Sequence, residues 1–177
     1  MKTIRTGLES LALRIPAGES AQFFYGDNVE GYYEGFTHST AQGSGYWLDG
    51  RPLFRDLITL AGNRRLTREQ ALRAEILPHA IRHRHRGLID ELSILHRRRA
   101  VAIRVSADRP KPLGTALLFD PGAGEIHLEP REGEFLATFA NHPLTVAIAA
   151  NAPVYSAQTG SLQDLPSLSF LSRRPRR

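Results

Sequence analysis

The chain has 177 residues, of which 41% are hydrophobic and 23% are charged, and this composition indicates a globular domain with its own core. It contains no cysteine, so disulfides and thiolate metal sites are excluded. The formal net charge of +5 falls to about +1 without the four arginines of the terminal RRPRR, so the folded part is nearly neutral and nucleic acid is not the expected partner. No apolar run reaches the roughly 18 residues of a membrane-spanning helix, and the absence of cysteine favours the cytoplasm.

The N-terminal segment predicts two β-strands. Within residues 8–15, Leu11, Leu13 and Ile15 alternate on one face, as in a half-buried strand. The following SAQFFY (20–25) is rich in aromatic residues, which fit a pleated surface. We therefore expect Leu11 and Leu13 to contribute to the core.

Residues 26–51 predict a loop, because they contain six glycines and most of the chain's aromatic residues lie within or just before them. Such a loop either plugs one end of the core or presents a binding surface, and both readings stay open. The DG pair at 49–50 predicts a tight turn. Aromatic rings stack on the apolar faces of sugars while polar groups bind the hydroxyls. The carbohydrate-binding candidates are Tyr32, Tyr33, Tyr46, Trp47 and Asp49.

Residues 67–77 fit two different elements. Thr67 followed by Gln70 forms a capping-box pattern and predicts a short helix near 68–76. The alternation of Leu72, Ala74 and Ile76 instead predicts a strand. Pro78 ends the element in either case.

The stretch HAIRHRHRG (79–87) suggests a metal site, a nucleic-acid patch or a strand with two polar faces. Alternation at period two favours the strand, with the histidines on the face of Ile81 and the arginines on the other. No compact third ligand accompanies His83 and His85, so we predict that no metal binds. If Ile81 points inward, desolvation disfavours the charged forms of both imidazoles. The arginine face is expected to be solvated or to contact a neighbouring domain.

The rest of the chain repeats short apolar runs, about ten residues apart, with Pro, Gly, Asn and Asp between them. This spacing of apolar runs and turn residues predicts an all-β, antiparallel β-sandwich. We place the sandwich at residues 1–157 and a Ser/Pro/Arg-rich tail or linker at 158–177. Further core positions are expected at Val101, Ile103, Val105, Leu118, Leu128, Phe135, Phe139, Val146 and Ile148.

The order of the glycine-rich, histidine-rich and apolar segments resembles the order of strands in a known type of β-domain. YWLDGRPL leads through a long arm into EILPHAIRHRHRGLIDELSILHRRRAVAIRVSADRPKPLGTALLFD. One strand ends at Gly87, the next carries Asp90 with Glu91, and a third alternates from Val101 to Val105. Over roughly residues 20 to 150 this pattern resembles the N-terminal β-sandwich of glycogen debranching enzymes and related amylo-alpha-1,6-glucosidases, whose supersandwich-like domain precedes a catalytic (α/α) toroid.

The resemblance implies a non-catalytic N-terminal domain of a glycoside hydrolase of carbohydrate metabolism. Such a domain packs on a catalytic toroid, in cis or in trans, and helps to shape a glucan cleft. Because 177 residues are too few to include the toroid, no catalytic residue is carried over, and we expect the chain to be inactive alone and to need no cofactor. The alternatives are a stand-alone carbohydrate-binding module, or a basic regulatory or nucleic-acid-associated protein.

Overall fold

The protein is an all-β, antiparallel, sandwich-like molecule. The computed structural model describes residues 9–40, 44–132, 134–150, 154–162 and 165–172. Strands make up 63% of the structure, and none of the described helical segments reaches seven residues. Over the same ranges, no helix has the length and apolar character needed to cross a membrane. The predicted fold class is confirmed.

The strands divide between two compact units. In chain order they are β1 (Leu13–Pro16), β2 (Gln22–Gly26), β3 (Gly31–Phe36), β4 (Gly45–Leu48), β5 (Arg51–Ala61), β6 (Arg64–Leu66), β7 (Arg73–Leu77), β8 (Ala80–His85), β9 (Leu88–Ile94), β10 (Val101–Ala107), β11 (Leu113–Phe119), β12 (Ile126–Arg131), β13 (Glu134–Phe139), β14 (His142–Ala149), β15 (Val154–Leu162) and β16 (Leu165–Ser172). The first unit comprises Met1–Arg51 with Leu66–Arg109, and the second comprises Pro52–Arg65 with Pro110–Arg177.

The first unit contains a five-stranded sheet and a three-stranded meander. The sheet has the order β1-β7-β8-β9-β10, and the meander joins β2, β3 and β4. In the sheet, Ile81 lies opposite Ile76 on one side and Leu92 on the other. This register gives the sheet a continuous apolar row across its central strands.

The second unit has its own core. Strand β11 pairs with β5 and with β16, while β12, β13 and β14 form a separate antiparallel sheet. Ile58, Ala116 and Leu118 pack together and are buried. Phe119 packs on Phe139 with ring centroids 4.9 Å apart. The alternating apolar runs of this half therefore form strands, as the sequence predicts.

The segment predicted as a loop at 26–51 is largely sheet. Within it, β3 and β4 are strands, while residues 41–43 lie outside the described residues. The aromatic and β-branched content of the segment outweighs its glycines, since aromatic residues favour a pleated surface. Gly31 has a packing role: a Cβ there would collide with the Tyr46 hydroxyl and the Asp27 carboxylate. Glycine at this position thus allows a close approach within the sheet rather than forming a loop.

The segment predicted as a tail also forms strands. Strands β15 and β16 pair with each other, and β16 pairs with β11. Ser167, Leu168, Ser169 and Phe170 alternate polar and apolar residues, and that short period-two pattern is compatible with a strand despite the polar composition. The prediction of a linker at 158–177 is therefore wrong for the described residues, and residues 163–164 and 173–177 lie outside them. The chain also divides into two units rather than one domain over 1–157.

The ambiguous segment 67–77 resolves into both elements, one after the other. A single 3-10 turn spans Arg68–Gln70, and the strand β7 follows it. The Gln70 side chain accepts a hydrogen bond from the Thr67 backbone N–H at 3.3 Å. The Leu72 N–H then donates to the Arg84 carbonyl at 2.8 Å, so sheet pairing ends the helical turn.

Two of the predicted core positions are wrong. Leu11 and Leu13 are exposed, whereas Ile15 on the same face is buried. Leu11 precedes the strand, and Leu13 begins an edge strand that has a neighbour on one side only. All the other predicted core residues are buried or half-buried, namely Val101, Ile103, Val105, Leu118, Leu128, Phe135, Phe139, Val146 and Ile148.

Candidate functional site

The meander β2-β3-β4 carries aromatic residues on both faces. Tyr33 lies opposite Tyr25 and Tyr46 in the register, whereas Tyr32 lies opposite Trp47. Because successive side chains of a strand point to opposite faces, the four sequence-predicted aromatics separate into two pairs. Tyr33 and Tyr46 share one face, and Tyr32 and Trp47 share the other.

The face of Tyr33 and Tyr46 belongs to the core. Both rings are buried, with Tyr33 only 1% exposed, and the Tyr33 ring packs on Phe23 at a centroid distance of 5.2 Å. The buried Arg68 guanidinium donates a hydrogen bond to the Tyr33 hydroxyl at 2.7 Å. Burial, helped by the nearby Asp27 carboxylate, raises the pKa of Tyr46 to about 12. These two tyrosines are core residues, so their assignment to a sugar-contacting surface is wrong.

The opposite face presents an aromatic row, formed by Phe24, Tyr32 and Trp47. The centroids of Phe24 and Tyr32 lie 5.3 Å apart, and those of Tyr32 and Trp47 lie 5.9 Å apart with ring planes only 6° from parallel. Tyr32 and Trp47 are half-buried, while Phe24 is 62% exposed. Large exposed aromatic side chains in contact with one another are uncommon on a surface with no binding role.

A carboxylate accompanies the aromatic row. Glu34 lies opposite Phe24 in the β2-β3 register and is half-buried. Burial raises the pKa of the Tyr32 hydroxyl, and the Glu34 negative charge raises it further, so Tyr32 remains a neutral donor at physiological pH. The face therefore combines apolar rings with a hydroxyl donor and a carboxylate acceptor.

Asp49 lies in the turn that follows Trp47. Asp49 and Gly50 have φ angles of 53° and 68°, as the two central residues of a type I′ turn require. The predicted tight turn is confirmed. The Asp49 side chain is exposed at the end of β4, and its contact with a sugar stays a prediction.

Two of the three histidines of HAIRHRHRG, His83 and His85, lie on the buried face of β8. His83 and His85 are both buried, as are Ile81 before them and Asp90 on the neighbouring strand. His83 Nδ1 lies 3.0 Å from Asp90 Oδ1, and His85 Nε2 lies 2.9 Å from Asp90 Oδ2. The strand and the separation of His83 and His85 from Arg82 and Arg84 are thus confirmed, whereas the placement of His79 on this face is wrong, because His79 lies exposed in the turn before β8. One aspartate bridges the two buried imidazoles.

Both ring nitrogens of His83 have a neighbour within hydrogen-bond distance. Its Nε2 atom lies 3.0 Å from the Thr37 carbonyl, which only accepts hydrogen bonds, while Nδ1 faces the Asp90 carboxylate. Burial alone would raise the pKa of Asp90, but hydrogen bonds from His83 and His85 hold that pKa well below its usual range. Both ring nitrogens of His83 thus face hydrogen-bond acceptors. The expectation that desolvation disfavours the charged forms of the two imidazoles stays a prediction.

The histidine cluster shows no arrangement suited to a metal. In the described ranges, no set of three or more histidine, aspartate and glutamate side chains is arranged to hold an ion. Both Asp90 oxygens already accept hydrogen bonds from imidazoles. The prediction that no metal binds stays a prediction, and the geometry gives the cluster a structural role.

The arginine face of β8 carries an ion-pair network rather than solvated charges. Arg82 contacts Glu91 at 2.6 Å and Glu75 at 3.1 Å, and Arg84 contacts Glu75 at 2.7 Å. Burial alone would raise the pKa of Glu75, but the bond from Arg84 and the arginine charges hold it below its ordinary value. Arg82 and Arg84 are half-buried, so the expectation of a solvated face is wrong for them.

Sequence reasoning missed one side chain of the aromatic row and one of the histidine cluster. Phe24 has the most exposed ring of the aromatic row. It directly precedes Tyr25 in a predicted strand, and because neighbouring residues of a strand point to opposite faces, one of the two had to lie on the outer face. Asp90 was seen only as an acidic residue in a strand pattern, although an aspartate on the strand following a hairpin is a natural partner for a buried histidine.

Comparisons with known proteins add no relative to this picture. Neither the family models, nor the curated proteins, nor the solved structures contain a match to this chain. The site is therefore defined by its own geometry: a partly exposed aromatic face on an antiparallel sheet, supported by a buried aromatic face.

Proposed function

We propose that this chain is a glycogen-debranching-related protein, the non-catalytic N-terminal domain of a glycosidase, and that the aromatic row contacts glucan. The domain packs on a catalytic toroid, in cis or in trans, and helps to shape the cleft that holds the substrate. It works in the cytoplasm, in keeping with the absence of cysteine. The strand order from Gly87 to Val105 motivates the family, and the aromatic row carries the function.

The chemistry of the row fits a glucan. A pyranose ring has apolar C–H faces and a polar rim of hydroxyls, so it combines with an aromatic ring beside hydrogen-bonding groups. Phe24 provides the open apolar surface, the Tyr32 hydroxyl provides a donor, and the Glu34 carboxylate provides an acceptor. The two successive ring spacings of the row make a surface longer than one aromatic ring, as a chain of sugar units requires.

Affinity electrophoresis through gels that contain glycogen tests the proposal. We expect the wild-type chain to be retarded, and Phe24→Ala and Trp47→Ala to migrate as they do without glycogen. Leu72→Ala is the matched control, because Leu72 is 60% exposed and lies outside the row. Equal retardation of all four proteins, or retardation of none, would contradict the proposal.

A stand-alone carbohydrate-binding module is the second candidate, and the 62% exposure of Phe24 in the isolated chain favours it. The two candidates differ in what the catalytic toroid contributes. A cleft-shaping domain binds glucan markedly more tightly when the toroid is present, whereas a module binds equally well alone. For either candidate we expect no hydrolysis of glycogen limit dextrin by this chain, and measurable turnover would disprove the non-catalytic assignment.

A further inference from the structure

An open depression lies on the arginine face of the five-stranded sheet, at the end of the β9-β10 hairpin. Its volume is about 500 Å³, and it lies within the first unit. Its floor contains Ser93 and Ala102, which lie opposite each other across the strand pair. Small side chains lie here between longer ones, so the sheet surface is recessed at this point.

Basic side chains surround the depression. Arg98 in the hairpin turn and Arg104 on β10 line it and are exposed, and His79 and His96 also contribute. Among its described lining residues Glu91 is the one acid, and that carboxylate is bound to Arg82 at 2.6 Å. Two exposed arginines thus line the depression, while its acid is already paired with Arg82, so the lining favours an anion over a cation.

The tautomer of His96 adds a hydrogen-bond donor. Its Nδ1 atom lies 3.0 Å from the side-chain amide nitrogen of Asn28. Because an amide nitrogen donates, Nδ1 accepts and the proton of neutral His96 is on Nε2. His96 thus has an N–H donor at Nε2.

Arg104 is also the end of a row of alternating charges. The register across the sheet reads Arg14, Glu75, Arg82, Glu91 and Arg104. In the middle of the row each charge has an opposite charge on both sides, whereas Arg14 and Arg104 end it at the two sheet edges. Arg104 lies at the depression and Arg14 lies at the far edge, so the two arginines form a matched pair for an experiment.

We propose that this depression binds a phosphate group, either free or esterified to a sugar. Guanidinium groups recognise phosphate oxygens through paired N–H donors, and the His96 imidazole and Ser93 hydroxyl supply further donors of the right kind. The volume of the depression suits one small ligand rather than an extended polymer chain. The proposal stands independently of the aromatic row, which lies on the meander.

Isothermal titration of the full chain with inorganic phosphate at low ionic strength tests the site. We expect saturable binding with a dissociation constant on the order of a millimolar, weakened roughly tenfold in Arg98→Ala and in Arg104→Ala. Arg14→Ala is the control and should bind phosphate as the wild type does. No saturable binding, or an equal loss in Arg14→Ala, would overturn the proposal.

Parallel titrations with glucose 6-phosphate and glucose distinguish the two sources of the phosphate group. Tighter binding of glucose 6-phosphate than of phosphate, lost in Arg104→Ala, assigns the site to a sugar phosphate, and equal binding assigns it to the free ion. Binding of glucose as strong as that of its phosphate contradicts an anion site. Titration with a DNA duplex gives the last control, since strongly salt-dependent binding by the wild type that is lost in Arg98→Ala and Arg104→Ala would indicate a nucleic-acid surface instead.

Discussion

The two faces of the β2-β3-β4 meander contain the same kinds of side chain in opposite environments. Tyr33 is enclosed by other rings and holds the buried Arg68, whereas Tyr32, its neighbour in sequence, lies in a partly exposed row with Trp47. Residue type does not distinguish them, but the position of each in the strand does. Alternation along β3 therefore separates a residue of the core from a residue of the candidate binding surface.

The two faces of β8 repeat this division with charged residues. On one face His83 and His85 are buried and share Asp90, and on the other Arg82 and Arg84 pair with glutamates. Both faces are polar, and both have acidic partners on the neighbouring strands. The aromatic row differs from all of these groups because its apolar surface remains open.

The largest expected effect separates Tyr33 from Tyr32. Tyr33→Ala removes a fully buried ring and the acceptor of an Arg68 hydrogen bond, so we expect it to lower the free energy of unfolding by about 3–5 kcal/mol. Tyr32→Ala should cost about 1 kcal/mol, because part of that ring is already in water. Urea denaturation measures both values, and equal losses would show that the two faces are not different.

Removing the acid from the histidine cluster should have a similarly large effect. Asp90→Asn removes the buried carboxylate that both imidazoles contact, and the loss of its two charge-assisted hydrogen bonds costs about 3–5 kcal/mol at pH 7. Because the folded pKa of Asp90 lies below its unfolded value, its contribution is present above about pH 4 and declines as the pH falls from there. The unfolding free energies of wild type and variant should therefore converge in acid. A gap that stays constant down to pH 2 would contradict the ion pair.

Replacing both imidazoles gives a smaller effect that also tests the metal question. His83→Gln with His85→Gln keeps some hydrogen bonding to Asp90 but replaces both imidazoles that contact its carboxylate, so we expect a loss of about 2–3 kcal/mol. Metal content, measured by mass spectrometry on purified protein, should be equally low in both proteins. Stoichiometric zinc in the wild type, lost in the double variant, would show that the cluster is a metal site.

The smallest expected effect concerns Tyr46 at high pH. Its pKa of about 12 lies above the unfolded value of about 10, so its contribution to stability is complete below pH 10 and declines as the pH rises toward 12. Tyr46→Phe cannot ionise and should lose less stability than the wild type between pH 9.5 and 11.5. Denaturation curves over about that range measure the difference, and identical slopes would contradict a buried, neutral hydroxyl.

Alternation of residue types was sufficient to predict much of the fold. The strand at HAIRHRHRG, the opposite faces of its histidines and arginines and the turn at Asp49-Gly50 all follow from local patterns. The predictions that rested on residue composition rather than on the alternation of residue types were wrong. Glycines suggested a loop where β3 and β4 form, and serines suggested a tail where β15 and β16 form.

The candidate site required contacts that no single strand contains. Tyr32 and Trp47 become neighbours only through the β3-β4 register, and Phe24 joins them only through β2. The partners of the buried polar groups, such as Thr37 for His83, depend equally on tertiary packing. Sequence patterns predict which residues share a face, but they do not determine which of two faces is covered.

The most direct test of the central claim uses Trp47, which is the one tryptophan of the chain. Its emission reports on the aromatic row without any added label, so the wild-type chain can be titrated with a linear malto-oligosaccharide and followed by fluorescence. We expect a saturable change in Trp47 emission that Phe24→Ala weakens strongly and Leu72→Ala leaves unchanged. Emission that stays constant at saturating sugar, or a change that persists fully in Phe24→Ala, would contradict the assignment of the aromatic row to glucan binding.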